Sequence, residues 1–150
     1  MKPLFVLTGT LILSCLLFYV LTHDAHLFLS GRIAMCVMLL FTSIAHFVFY
    51  KGMMMMLPQF VPFKKMAIYL TGIIEMLGGV CLLIPKIQYV AALLLIVFFI
   101  LLLPANIIAA YKKVDIENAT YNGNGLTYLW FRVPLQVLFI AWVWYFAILN

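Results

Sequence analysis

Five polar side chains interrupt otherwise apolar stretches of this sequence: His46, Glu75, Asn106, Arg132 and Gln136. Glu75 lies near the middle of the run 66–84. An ionisable group at the centre of a membrane helix costs about 2.5–3.5 kcal/mol on insertion scales, so it normally faces the interior and finds a partner. Arg132 and Gln136 are four positions apart and share a helix face. The long arginine can extend several ångströms along that face, which makes a Glu75–Arg132 contact compatible with the register. His46, near the end of its run, is either an interfacial side chain or a titrating group. Pro104, two residues before Asn106, and Pro134, between Arg132 and Gln136, each remove a backbone donor and free a carbonyl.

Two kinds of chemistry fit this set. One is structural: a buried salt bridge, with Asn106 and Gln136 as hydrogen-bonding glue between helices. The other is a small polar pocket for a ligand, such as a quinone headgroup, or for a proton. No residue is assigned as catalytic, because the sequence holds no Ser/His/Asp set, no paired carboxylates and no nucleotide-binding fingerprint. No metal site is read either. The run Met53 to Met56 points its thioethers in four directions on a helix and fits the headgroup region better than a soft metal.

The elements that must position these residues follow from composition. Of 150 residues, 68% are apolar and only 9% charged, and the mean hydropathy is +1.21. A soluble domain needs a far more polar surface. The apolar runs are long and continuous, so helices rather than barrel strands satisfy the backbone in lipid. The expected fold is all-α, a single polytopic membrane helical bundle over residues 1–150. At about 20 residues per crossing the length allows five spans, expected at about 3–21, 31–50, 66–84, 89–111 and 127 to the C-terminus, with 51–65 as an interfacial loop. The first run also resembles a signal peptide, but it is long and lacks a small-x-small cleavage site, so a retained helix is expected.

The net charge of +5 comes from nine basic residues scattered over several loops, which argues for membrane orientation rather than nucleic-acid binding. Lys2, Lys51, Lys64, Lys65, Lys112 and Lys113 fall on one side of the five-span arrangement, with Arg32 and Lys86 toward the other. The positive-inside rule then puts the N-terminus in the cytoplasm and the C-terminus outside. The sequon Asn118-Ala119-Thr120 would lie on the cytoplasmic side and is not read as a glycosylation site. Counted from that side, Glu75 and Gln136 lie about 13 Å deep, Arg132 about 8 Å, and His46 and Asn106 about 6 Å. Cys15, Cys36 and Cys81 show no CxxC spacing and read as buried thiols, with an inter-helix disulfide left open.

An ordered set of short segments carries a family resemblance. Arg32 opens a stretch ending in Ala45-His46-Phe47; then come Pro58-Gln59-Phe60-Val61-Pro62, Thr71-Gly72-Ile73-Ile74-Glu75 and Leu82-Leu83-Ile84-Pro85. Leu103-Pro104-Ala105-Asn106 and Phe131-Arg132-Val133-Pro134-Leu135-Gln136 follow, the last with Ala141-Trp142 behind it. In this order and spacing the chain resembles the DoxX-like family of small membrane proteins over about residues 31–146. The resemblance implies a four-helix membrane core, with residues 1–22 as an additional N-terminal transmembrane helix, in a bacterial cytoplasmic (inner) membrane. Some relatives are membrane subunits of sulfur-compound:quinone oxidoreductases, others belong to oxidative-stress complexes, and distant animal relatives act as receptor-assembly chaperones. It therefore implies a redox-linked accessory subunit, or else a non-enzymatic scaffold or assembly chaperone. The sequence carries no flavin, haem or iron–sulfur ligand set, so a redox role calls for a bound quinone or a redox partner protein. Self-association into a homo-oligomer is a further expectation about partners.

Overall fold

The structure is a computed structural model, in which residues 2–149 are described. It is all-helical: α1 (Lys2–Thr22), α2 (Leu27–Val48), the short α3 (Tyr50–Met56), α4 (Lys64–Cys81), α5 (Gln88–Tyr111) and α6 (Leu126–Val143), which runs on into a π-helical turn at Trp144–Ile148. Among the described residues the only ladder-like pairing is one isolated bridge, Asp115 to Thr120.

Each break has a local cause. The polar stretch after α1 ends in His26, whose backbone is left-handed (φ 40°), and its N–H donates to Asp24 Oδ1 at 3.2 Å. Pro62 and the left-handed Phe63 (φ 49°) separate α3 from α4, and Pro85 stands in the α4–α5 turn. The segment expected as an interfacial loop at 51–65 thus contains a seven-residue helix, and α2 begins at Leu27 rather than Gly31.

Four stretches are long and apolar enough to cross a bilayer: α1, α2, α5 and the continuous Leu126–Ile148. The third expected span, α4, does not join them. It has only 18 residues, its first turn is Lys64-Lys65, and it carries Glu75. Even so, α4 runs the depth of the bundle beside α2. Near its start the Ile68 carbonyl meets His46 late in α2, and near its end Gly79 lies against Cys36 and Leu39. Eighteen residues rise about 27 Å, and its outward side chains Met66, Leu70, Leu77 and Val80 are exposed and apolar.

The core joins α1, α2, α5, α6 and the π turn through Leu7, Ala34, Met35, Met38, Leu39, Ala92, Leu95, Val143 and Ala147. Many large apolar residues remain outside it, including Leu13, Leu17, Leu94, Leu101 and Val137. A belt of that extent is a liability in water and a fit to lipid. Cys36 is buried, Cys15 and Cys81 are half-buried, and all three are free thiols.

Polar contacts sort the connections into two ends. At one, Lys2 Nζ pairs with Glu117 at 2.8 Å, Lys112 Nζ reaches the Met55 carbonyl at 3.5 Å, and Gly52 presses so closely on the Ile116 backbone that a Cβ would lie 2.2 Å from its carbonyl oxygen. This brings the start of α1, the α2–α4 connection and the α5–α6 connection together, and with them the six lysines. At the other end Arg32 donates to Gln88 Oε1, Gln88 Nε2 donates to the Ala147 carbonyl at 2.9 Å, and Trp142 Nε1 donates to the Gly31 carbonyl at 3.0 Å. These bonds join the starts of α2 and α5 to the end of α6 and the π turn that follows it.

Candidate functional site

The α2–α4 pair faces the α5–α6 pair across a cavity of about 580 Å³, and His46, Glu75, Asn106, Arg132 and Gln136 all line it. That volume lies within the range of small-molecule sites. The cavity extends toward the lysine-bearing end, where Lys2, Asp115, Glu117 and the Asn122–Gly125 stretch complete its wall.

On the α2–α4 side, four polar residues are interleaved. Thr42 and His46 are one helical turn apart on α2, as are Thr71 and Glu75 on α4. Each threonine serves the ionisable residue of the other helix: Thr42 Oγ1 donates to Glu75 Oε1 at 2.7 Å, and Thr71 Oγ1 lies 3.1 Å from His46 Nδ1. Gly72 makes this approach feasible. A Cβ there would stand 2.8 Å from the Cβ of His46.

The acceptors bear on the proton positions. His46 Nδ1 lies 3.2 Å from the Ile68 carbonyl oxygen, which can only accept, so this contact is a hydrogen bond in the tautomer that carries hydrogen on Nδ1. Thr71 donates its own proton to the same carbonyl at 2.8 Å and offers its oxygen to Nδ1. That leaves His46 Nε2 to face Glu75 Oε2 at 3.2 Å. This is an ion-pair distance without hydrogen-bond alignment, and Glu75 Oε2 is a buried oxygen with no hydrogen-bond partner among the described residues. Both side chains are largely buried, at 12% and 8% exposure. An unsatisfied carboxylate oxygen in such a place is costly.

The α5–α6 side is a chain of donors and acceptors. Arg132 Nε donates to Asn106 Oδ1 at 3.4 Å, Asn106 Nδ2 donates to Gln136 Oε1 at 3.3 Å, and Gln136 Nε2 donates to the Phe99 carbonyl. Pro104 lacks an N–H and leaves the Ile100 carbonyl without its helical donor. The side chain that enters this turn, Gln136, binds the neighbouring carbonyl instead. Arg132 also lies over the Tyr128 ring, 5.8 Å from its centroid. Among the described residues its two terminal nitrogens have no hydrogen-bond partner and it pairs with no carboxylate.

The expected Glu75–Arg132 contact therefore does not form. Glu75 takes its partners from the adjacent α2, and Arg132 lies on the other wall. The structure brings all five sequence-selected residues to one cavity, but as two separate clusters. Thr42 and Thr71 were not among them. Their signal in the sequence is the four-residue spacing to His46 and Glu75, which marks a shared face. No group of three or more metal-ligating side chains occurs among the described residues. Comparison with known families finds that the model of a domain of unknown function, DUF8561, matches residues 35–147. No curated protein and no solved structure matches the chain.

Proposed function

The chain belongs to the DUF8561 family, and we propose that it is a multi-pass membrane protein whose cavity binds a quinone-type headgroup, acting as an accessory subunit to a redox partner. The observation that supports this reading is one cavity lined by two polar clusters, the His46–Glu75 pair on one side and, on the other, Arg132, whose two terminal nitrogens have no hydrogen-bond partner among the described residues. The resemblance of the ordered segments between Arg32 and Trp142 to the DoxX-like family supports the same reading. All five long helices, α4 included, cross the bilayer in this reading, with the lysine-bearing end in the cytoplasm of a bacterium.

A bound quinone supplies two-electron, two-proton carriage. The chain's own residues bind and orient it. Arg132, with Asn106 behind it, donates hydrogen bonds to a ligand oxygen. Phe99, Leu102, Leu135 and Phe139 supply apolar wall and limit access of water. His46 Nε2, with Nδ1 committed to Ile68, holds or moves a proton at the Glu75 side of the cavity. Electrons come from a partner protein.

The test is native mass spectrometry of gently solubilised protein, with extraction of any copurifying quinone. A bound quinone that is lost in Arg132→Gln supports the reading. A second reading, an assembly scaffold whose polar residues only fix helix packing, draws on the Asn106–Gln136–Phe99 chain, which is satisfied within the protein. It predicts that Arg132→Gln lowers stability and that no quinone is present in either protein.

A further inference from the structure

Two helices that are joined at one end of the bundle have the cavity between them at the other. Away from the lysines, Trp142 Nε1 donates to the Gly31 carbonyl at 3.0 Å, and the Phe146 ring leaves Gly31 no room for a Cβ, so α2 and the end of the chain are in close contact. Toward the lysine-bearing end both helices turn a face to the cavity. On α2 that face includes Phe41, Ile44 and Val48, an apolar stripe at helical spacing whose members are 42%, 57% and 61% exposed. On α6 it includes Arg132, Leu135 and Phe139, again one face. Of α1 only Lys2 and Pro3 reach the cavity, so the rest of that helix does not cover the gap. The opposite flank is bridged: Gly78 of α4 packs on Leu95 of α5, and near the lysines Lys112 Nζ reaches the Met55 carbonyl at 3.5 Å.

We infer that the gap between α2 and α6 seats an apolar chain carried by the cavity's ligand: the ligand is a tailed, membrane-resident quinone, with its ring at Arg132 and its chain leaving sideways past Ile44 into the bilayer. The inference rests on the quinone-binding reading above and adds the class of quinone and the residues that hold its tail. The other way out of the cavity runs past Lys2, Asp115, Glu117 and the Asn122–Gly125 stretch. Those groups lose hydration if an apolar chain lies against them, whereas Phe41, Ile44, Val48, Leu135 and Phe139 offer it only carbon. The gap is continuous with the cavity and walled by the same residues, which makes the ligand's own chain its occupant. Bilayer chains are as apolar as the groove, so the tail adds little affinity of its own. Its signature is position and steric fit.

The experiment uses the full chain in detergent micelles with menadione and phylloquinone, which share one ring and differ by a phytyl chain. Ile44→Trp narrows the gap from its exposed edge. Each quinone is compared between variant and wild type in the same micelles, so its partition into detergent cancels. Phylloquinone should weaken at least about tenfold in the variant, and menadione should stay within about twofold. A phylloquinone carrying a diazirine on its chain should, on illumination of wild type, label residues 41–48 of α2 or 135–139 of α6. An equal effect of Ile44→Trp on both quinones, whether none or large, overturns the inference and leaves the quinone site standing. Labels elsewhere, or menadione binding alone, do the same. Failure of both quinones to bind wild type overturns the quinone reading itself. The positions labelled in wild type decide the matter if Ile44→Trp does not fold or if only phylloquinone binds.

Discussion

Replacing Thr42 by valine isolates the bond that holds the buried carboxylate. Valine keeps the branched shape and removes the hydroxyl that donates to Glu75 Oε1 at 2.7 Å. That hydroxyl has helical carbonyls within reach, Met38 and Leu39 at 3.1 Å each, but the shorter, charge-assisted contact is to the carboxylate. Glu75 Oε2 already lacks a partner, so the variant leaves the whole carboxylate with only the misaligned His46 beside it. An ordinary interhelical side-chain bond in a membrane protein is worth about 0.6 kcal/mol. A bond to a charged group contributes about 1.5–3 kcal/mol. Burial of the acceptor places this one in the second class, at about 2 kcal/mol. Detergent-to-SDS unfolding of wild type, Thr42→Val, Glu75→Gln and the double variant measures it as a cycle. The cost of Thr42→Val should fall to about 0.6 kcal/mol in the Glu75→Gln background, a coupling near 1.4 kcal/mol by difference. Thr42→Ser, which restores the donor, should behave nearly as wild type. Additivity within about 0.5 kcal/mol, or a serine as damaging as valine, would refute the assignment of Thr42 to the carboxylate.

Gly72→Ala places a Cβ 2.8 Å from that of His46 and must push α4 away from α2; a loss of about 1–3 kcal/mol on unfolding is expected, together with weaker ligand binding. Sidedness can be read by labelling single cysteines with an impermeant maleimide in a cysteine-free chain: Lys51→Cys and Lys113→Cys should react from one side, Asp24→Cys and Lys86→Cys from the other, and a mixed pattern would break the five-crossing topology. In the exposed α5–α6 loop, the Asn118 side-chain amide, then the backbone N–H groups of Asn118 and Glu117, hold the Asp115 carboxyl below the usual carboxylate range. A carboxyl lowered in the folded loop contributes order that is complete above its ordinary value of about 4 and is lost as pH falls below it. Limited proteolysis with pepsin should accordingly cut between Lys112 and Gly125 more readily as pH drops from 4 toward 2, and Asp115→Asn should flatten that dependence.

Hydropathy was enough to place the five long helices to within a few residues, but not the short α3. The apolar runs, the glycines and prolines at their ends and the lysine clusters are local properties, and a membrane leaves the backbone few alternatives to the helix. The five polar residues set within apolar runs were equally legible, because each stands out against its background. α4 was expected as a full span, but its lysine pair lies inside the helix and its last turn ends at Cys81, so it is shorter and more charged than its neighbours. Pairing was not legible. Depth along a helix is one coordinate, and by depth Glu75 and Arg132 could meet. Contact also requires the right rotation about each axis and the right neighbour, and both are set by packing. Gly72 admits His46 to within contact of α4, which gives Glu75 the two donors of α2 nearby. Arg132 is held on the far wall by Asn106 and Tyr128. The cavity between them exists only because two helix pairs pack within themselves more closely than across, and no run of residues in the sequence encodes that gap.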